Sequence, residues 1–236
     1  MNPAADTVSV LWIARLLHAT DSFYPTGAYA HSFGLEGLVQ AGAVHDRDTL
    51  RRFLLRQAVP QLARTELAVA ARAWDAAGDP PDWDTLRSLA ELGAALRGTR
   101  ETRSASAGIG AQRLDFAATL HNGLAAEFNR RAAAGLWPRP ACIAAAIEGR
   151  TLGAPRDAVL AALLYGALSG LVAAAVKLLR LGQNASHTLL AEALAAGAAA
   201  IQAAPSLPLE RLGAFNPWWD IASARHETAD FRLFIS

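Results

Sequence analysis

One cysteine, few charges and no excess of either sign set the first limits on this chain. Cys142 is the only cysteine among 236 residues. No internal disulfide can form, and no thiolate cluster can hold a metal. Charged residues make up 18% and the formal net charge is +1. No strong field is available to draw nucleic acid or an anionic membrane. Met1 to Asp6 lacks a basic cluster followed by an apolar core, so no signal peptide is expected. Strand alternation is missing too, as are the common catalytic signatures. Gly166 stands one position too far from Ser169-Gly170 for a nucleophile elbow. Gly108-Ile109-Gly110 lacks the third glycine of a dinucleotide fingerprint, and there is no phosphate-binding G-x-x-x-x-G-K-[ST] loop. The six histidines (18, 31, 45, 121, 187 and 226) include no four-residue pair with ligand spacing.

What the chain does have is apolar helix-forming sequence. Hydrophobic residues reach 53%, much of it alanine, which loses no side-chain entropy in a helix. The pattern predicts helices at about 8–18, 28–41, 47–77, 84–97, 99–133, 139–152, 156–180, 187–203 and 217–226. Asp46 or Asp48 can cap the third, and Pro60 should kink it. Gly78 to Asp82, Pro138 with Pro140, and Pro205 with Pro208 break the chain. No linker separates domains. The expected fold is all-α, one globular helical domain over 1–236 with a central apolar helix, a flexible N-terminus at about 1–7 and a docking tail at about 227–236. Ala158 to Val176 is uncharged over nineteen residues, about 28 Å of helix and long enough to span a membrane. Its Ala, Gly and Ser content and close charged flanks favour a buried helix at the centre of the fold. Gly166, Ala167, Ser169, Gly170 and Ala173 to Ala175 would then let neighbouring helices approach closely, and Ala105, Ser106, Ala107, Gly108 and Gly110 are likewise small enough for tight helix packing.

Three segments stand out as candidate sites. Asp21 to Glu36 (DSFYPTGAYAHSFGLE) combines a Pro-Thr-Gly turn with hydroxyls, aromatics, His31 and Glu36. A helix from 28 would carry Tyr29, Phe33 and Glu36 along one side and His31, Leu35 and Leu38 along another. His31 then reads as a hydrogen-bonded core residue rather than a metal ligand. Arg97, Arg100 and Arg103 fall three apart, on one helical stripe. They form either a solvated face paired with Glu101 or a contact for an acidic partner, since arginine's fork grips carboxylates. Phe231, Leu233, Phe234 and Ile235 make the terminal segment too apolar to float free. They must dock on this domain, a second copy or a partner.

Four segments together resemble the UreF family of urease accessory proteins. They are Asp21 to Glu36, then Arg100 to Ser106 with Gln112-Arg113-Leu114, then Ser169 to Lys177 with Leu181-Gly182-Gln183, and finally His226-Glu227 with Arg232 to Ser236. The resemblance implies an all-α, cytoplasmic, non-enzymatic maturation factor that dimerises, binds UreD (UreH), and recruits the GTPase UreG for nickel delivery to apo-urease. It implies no cofactor of its own, nickel and GTP being handled by partners. Partner-binding residues are expected among Tyr29, His31, Glu36, Arg100, Arg103, Lys177, Arg232 and Phe234. Of these, Tyr29, Glu36, Lys177 and Arg232 are assigned to the GTPase-facing surface. Trp137 to Ile143, Lys177 and Ser186-His187 depart from the family pattern. The alternative reading is a membrane-associated or small-molecule-binding all-α protein.

Overall fold

The computed structural model describes residues 3–121 and 123–236, with side chains from residue 10 onward. Those residues form helices and no strands. Helix α1 spans Pro3–Thr20 and starts earlier than the sequence pattern suggests, so of the expected flexible N-terminus only Met1 and Asn2 lie outside the described residues.

The stretch expected as helix 28–41 is broken. Ala28–Ala30 forms one 3-10 turn, His31 is extended, and α2 begins only at Leu35 and runs to Gln40. Phe33 (φ 51°) and Gly34 (φ 87°) sit between them in the left-handed region, which no α-helix can pass through. Gly34 is required there, because an added Cβ would lie 2.9 Å from Ser223 Cβ and Trp219 Nε1.

Asp46 caps α3 (Arg47–Phe53), accepting the Thr49 N–H at 2.8 Å in a capping box. The chain then continues through a π turn (Leu54–Ala58), α4 (Val59–Leu62), a second π turn (Ala63–Leu67) and α5 (Ala68–Ala76). Pro60 lies between the two wide turns. Proline donates no hydrogen bond and crowds the carbonyl four residues back, and widened turns are a recognised way to accommodate such a disruption. Helix α6 (Trp83–Ala95) follows the Gly78–Asp82 break.

The expected helix 99–133 is two helices, α7 (Arg100–Leu120) and α8 (Leu124–Gly135). Gly123 between them adopts φ 116°, ψ −122°, outside the range of other residues. Then come α9 (Ala141–Thr151), α10 (Arg156–Leu178), α11 (Gln183–Ala203) and α12 (Pro217–His226).

One hydrophobic cluster runs from Leu35 to Phe234. Two helices share its centre. Every residue of α9 from Cys142 to Gly149 is buried, and α10 directs Leu160, Leu164, Leu168 and Leu171 into the same core. Burial in this apolar run pushes the Cys142 thiol up to about 12, so it stays protonated and inert. Both α10 and α11 are long and apolar enough to cross a membrane; one side of α10 is buried in the core.

Of the glycines expected to allow close approach, Gly110 does so and Gly166 and Gly170 do not. A Cβ at Gly166 or Gly170 would meet nothing within 4 Å, because that side of α10 faces outward. At Gly110 it would lie 2.0 Å from the Arg139 carbonyl oxygen, and at Gly37 2.3 Å from that of Ala222. The obstacle in both cases is backbone, which cannot swing away. Gly110→Ala should therefore cost about 1–3 kcal/mol through overpacking. Gly166→Ala should be neutral or raise stability by up to about 1 kcal/mol through helix propensity. Chemical denaturation of both variants checks this; equal effects would refute the placement of α10's outer face.

Candidate functional site

The C-terminal segment docks on its own domain. It runs beside residues 30–36, its backbone hydrogen-bonded to theirs. The Ile235 N–H donates to the Ala30 carbonyl at 2.9 Å. The Ser236 carbonyl oxygen accepts from the N–H groups of Ser32 (2.5 Å) and Phe33 (3.1 Å) and from the Ser32 hydroxyl (2.8 Å). Ser236 Oγ lies 2.8 Å from His31 Nδ1. The backbone bends at Leu233 and Phe234, and the last four side chains divide between core and solvent. Phe234 and Ser236 are buried, whereas Leu233 and Ile235 are 54% and 65% exposed.

Glu36 is the anchor of this arrangement and is itself buried. Its Oε1 accepts the Leu233 N–H at 2.8 Å, and its Oε2 accepts the Phe234 N–H at 3.0 Å. The same Oε2 lies 2.9 Å from Nε2 of the buried His226, whose Nδ1 is 3.0 Å from Glu101 Oε2. Each ring nitrogen of His226 thus faces a carboxylate oxygen. Glu101 Oε1 accepts in turn from Arg232 Nη1 at 2.9 Å. A chain of charge-assisted contacts thus joins α2, α7, α12 and the tail. Glu101 and His226 each lie in a family-like segment, but 125 residues separate them and no local pattern links the two.

The structure brings most of the sequence-selected residues to this region, in different roles. Tyr29 is 74% exposed, and Ala30 beside it holds the tail. Lys177, the chain's only lysine, is exposed and places its ammonium 5.2 Å from the centre of the Phe234 ring, a cation–π contact. Arg232 stays partly exposed while paired. Glu36 and Phe234 lie beneath the surface, so they act on a partner only by shaping what covers them.

The arginine stripe does not exist as such. Thr99 caps α7, so Arg97 precedes the helix; it reaches the buried Glu66 at 2.7 Å and covers the Phe33 ring at 5.3 Å. Arg100 pairs with Glu227, and Arg103 donates to the carbonyls of Arg97 (2.7 Å) and Gly98 (3.2 Å).

Two predictions follow from the tail's contacts. Glu36→Ala would strand a buried histidine and two backbone N–H groups, at a cost of about 3 kcal/mol or more. Denaturant unfolding reads this, and a loss under about 1 kcal/mol would mean the tail is held by other contacts. The second concerns pH. Burial lowers the His31 pKa from its ordinary 6.5, with the Glu101 charge opposing weakly. A depressed histidine favours the neutral ring in the fold, so the unfolded chain takes up the proton first. Its contribution to stability is therefore complete above 6.5 and declines as pH falls below that value. His31→Asn should remove this part of the slope between about pH 7 and pH 5, measured as the difference from the parent protein.

Comparison with known proteins identifies the family. The UreF family model matches residues 44–194, more than half of the chain. A urease accessory protein UreF from Paenarthrobacter aurescens (strain TC1) is 32% identical over 232 residues, covering 97% of this chain and 100% of that protein. One from Azoarcus sp. (strain BH72) is 36% identical over 237 residues, covering 100% and 99%. A bifunctional urease accessory protein UreEF from Bordetella bronchiseptica is 35% identical across the whole chain, which spans 54% of its length. A helical domain matched from end to end by these relatives, and built around a docked C-terminal segment, belongs to the UreF family of urease accessory proteins.

Proposed function

We propose that this urease-maturation protein acts as a non-enzymatic scaffold, binding a UreD (UreH) partner and recruiting the GTPase UreG for GTP-dependent nickel delivery to apo-urease. The observation that supports it is the surface around the docked tail. Tyr29, Lys177 and Arg232 are exposed there beside the outward side chains of Leu233 and Ile235. A rigid aromatic, two cations and apolar side chains on an ordered backbone are what interface anchors are made of. Nickel and GTP stay with the partners. Both nitrogens of His226 are spent on carboxylates, and Cys142 is buried.

A cytoplasmic homodimer completes the reading. Two unpartnered apolar surfaces support it. On α10, Ala161, Tyr165, Gly166 and Ala173 face outward. On α1, Val10, Leu11, Ile13 and Leu17 are 43–68% exposed. Apolar area of this kind is stabilised by a second protein surface.

The test is pull-down of UreG by the complex of this chain with UreD. Arg232→Ala and Tyr29→Ala should each weaken recruitment by roughly 2 kcal/mol, about thirtyfold. Lys177 is the only lysine, so amine-reactive labelling located at its peptide by mass spectrometry reads its exposure, and it should be protected once UreG binds. Full recruitment by both variants, with Lys177 labelling unchanged, would refute the surface.

A further inference from the structure

A second concave surface lies where α2, α3 and α12 meet, and the scaffold reading does not use it. Its volume is about 430 Å³, within the range of pockets that take ligands or side chains, ~300–1,000 Å³. Leu38, Val44 and Phe53 form its floor, and all three belong to the buried core. Trp218 stands at its edge, 77% exposed. Arg52 and Arg56 form the rim, one helical turn apart on the same side.

Both cations are exposed. Among the described residues, neither makes an ion pair, whereas Arg51 between α3 and α11 pairs with Glu192 at 2.5 Å. The neighbouring acids are committed or turned away. Asp46 is spent capping α3, and Asp48, one turn before Arg52, makes no bridge to it. Two exposed guanidiniums, an exposed indole and an apolar floor therefore share one open groove; the Arg52 charge also acts weakly on the capping Asp46.

We propose that this groove binds an extended acidic segment of a partner protein, one that alternates carboxylate and large apolar side chains. The spacing supports an extended strand. Arg52 and Arg56 are four residues apart, about 6 Å along a helix axis. Carboxylates two residues apart on an extended chain are separated by about 6.6 Å and point to the same side. Each guanidinium can take one carboxylate in a two-bond contact. The intervening side chains then face the opposite side, toward Trp218 and the floor. An open groove suits a chain passing through, and the charge selects an acidic one. Gln40 of α2 holds the Phe231 carbonyl of the tail at 3.0 Å, so the groove and the tail surface are braced by the same helix.

The probe is a short fluorescein-labelled peptide alternating glutamate with leucine and one central phenylalanine, followed by anisotropy with the full chain. Controls are a peptide of the same composition with its glutamates grouped together, and one with lysine replacing glutamate. Saturable binding of the alternating peptide is expected, weakened by salt because the contacts are ionic. Arg52→Ala with Arg56→Ala, and separately Trp218→Ala, should each weaken it about tenfold or more. All three side chains are exposed, so circular dichroism should match the parent protein. No binding up to about 1 mM, equal binding of either control peptide, or binding indifferent to Trp218→Ala would overturn the proposal. Displacement by inorganic phosphate or GTP at equal concentration would reassign the groove to a small anion and overturn it equally. UreG pull-down is an independent readout, so failure here leaves the scaffold reading intact.

Discussion

The carboxylate of Glu36 is the interaction on which the site depends. Burying it is costly unless every lone pair is used. Here the partners are two backbone N–H groups of the tail and the ring of His226. Those donors come from parts of the chain about 190 residues away. The burial cost is therefore offset only when the C-terminus is in place. The same logic holds at Glu101, which receives both His226 and Arg232. Two carboxylates from the first half of the chain thus select the position of the last eleven residues.

The strained backbone at Phe33 belongs to the same device. A bulky residue at positive φ carries a conformational cost of order 1–3 kcal/mol and persists only where its surroundings insist on it. Its N–H donates to the Ser236 carbonyl, its own carbonyl accepts from Trp219 Nε1 at 2.8 Å, and its ring lies beneath Arg97. The tail on one side and α12 on the other hold the residue in a conformation it would otherwise leave. In exchange, the chain turns sharply enough to bring Ser32 and Glu36 to the same strip of backbone.

Helix-scale features were legible in the sequence because they are local. Alanine content and the proline breaks predict α6, α9, α10, α11 and α12 to within a few residues, and with the Asp46 cap the outer bounds of the run from α3 to α5. What failed to show were departures decided at single positions or by distant partners. The residue 28–41 stretch carries helical spacing, yet Gly34 packs against Trp219 and Ser223 from α12 and the helix cannot form. Arg97, Arg100 and Arg103 keep the period of a helical face, but Thr99 caps α7 and strands Arg97 outside it. The docking of the apolar tail was readable from its composition alone. Its receptor was not, since Glu36, Glu101 and His226 meet only in three dimensions. The outward stripe of α10 misled for a related reason: small residues permit close approach without supplying a neighbour.

The docked tail divides stability from recognition within four residues. Its bend turns Phe234 and Ser236 toward the core, and leaves Leu233 and Ile235 outside. Backbone hydrogen bonds to Glu36, Ala30 and Ser32 fix the position of each of these residues. Phe234 is thereby held beneath the Lys177 ammonium. The hydrogen-bonding residues of 30–36 therefore specify which side chains face outward, even though few of them are themselves exposed. That accounts for the chemical density of Asp21 to Glu36: it encodes the geometry of a surface whose contacting side chains lie mostly at the other end of the chain.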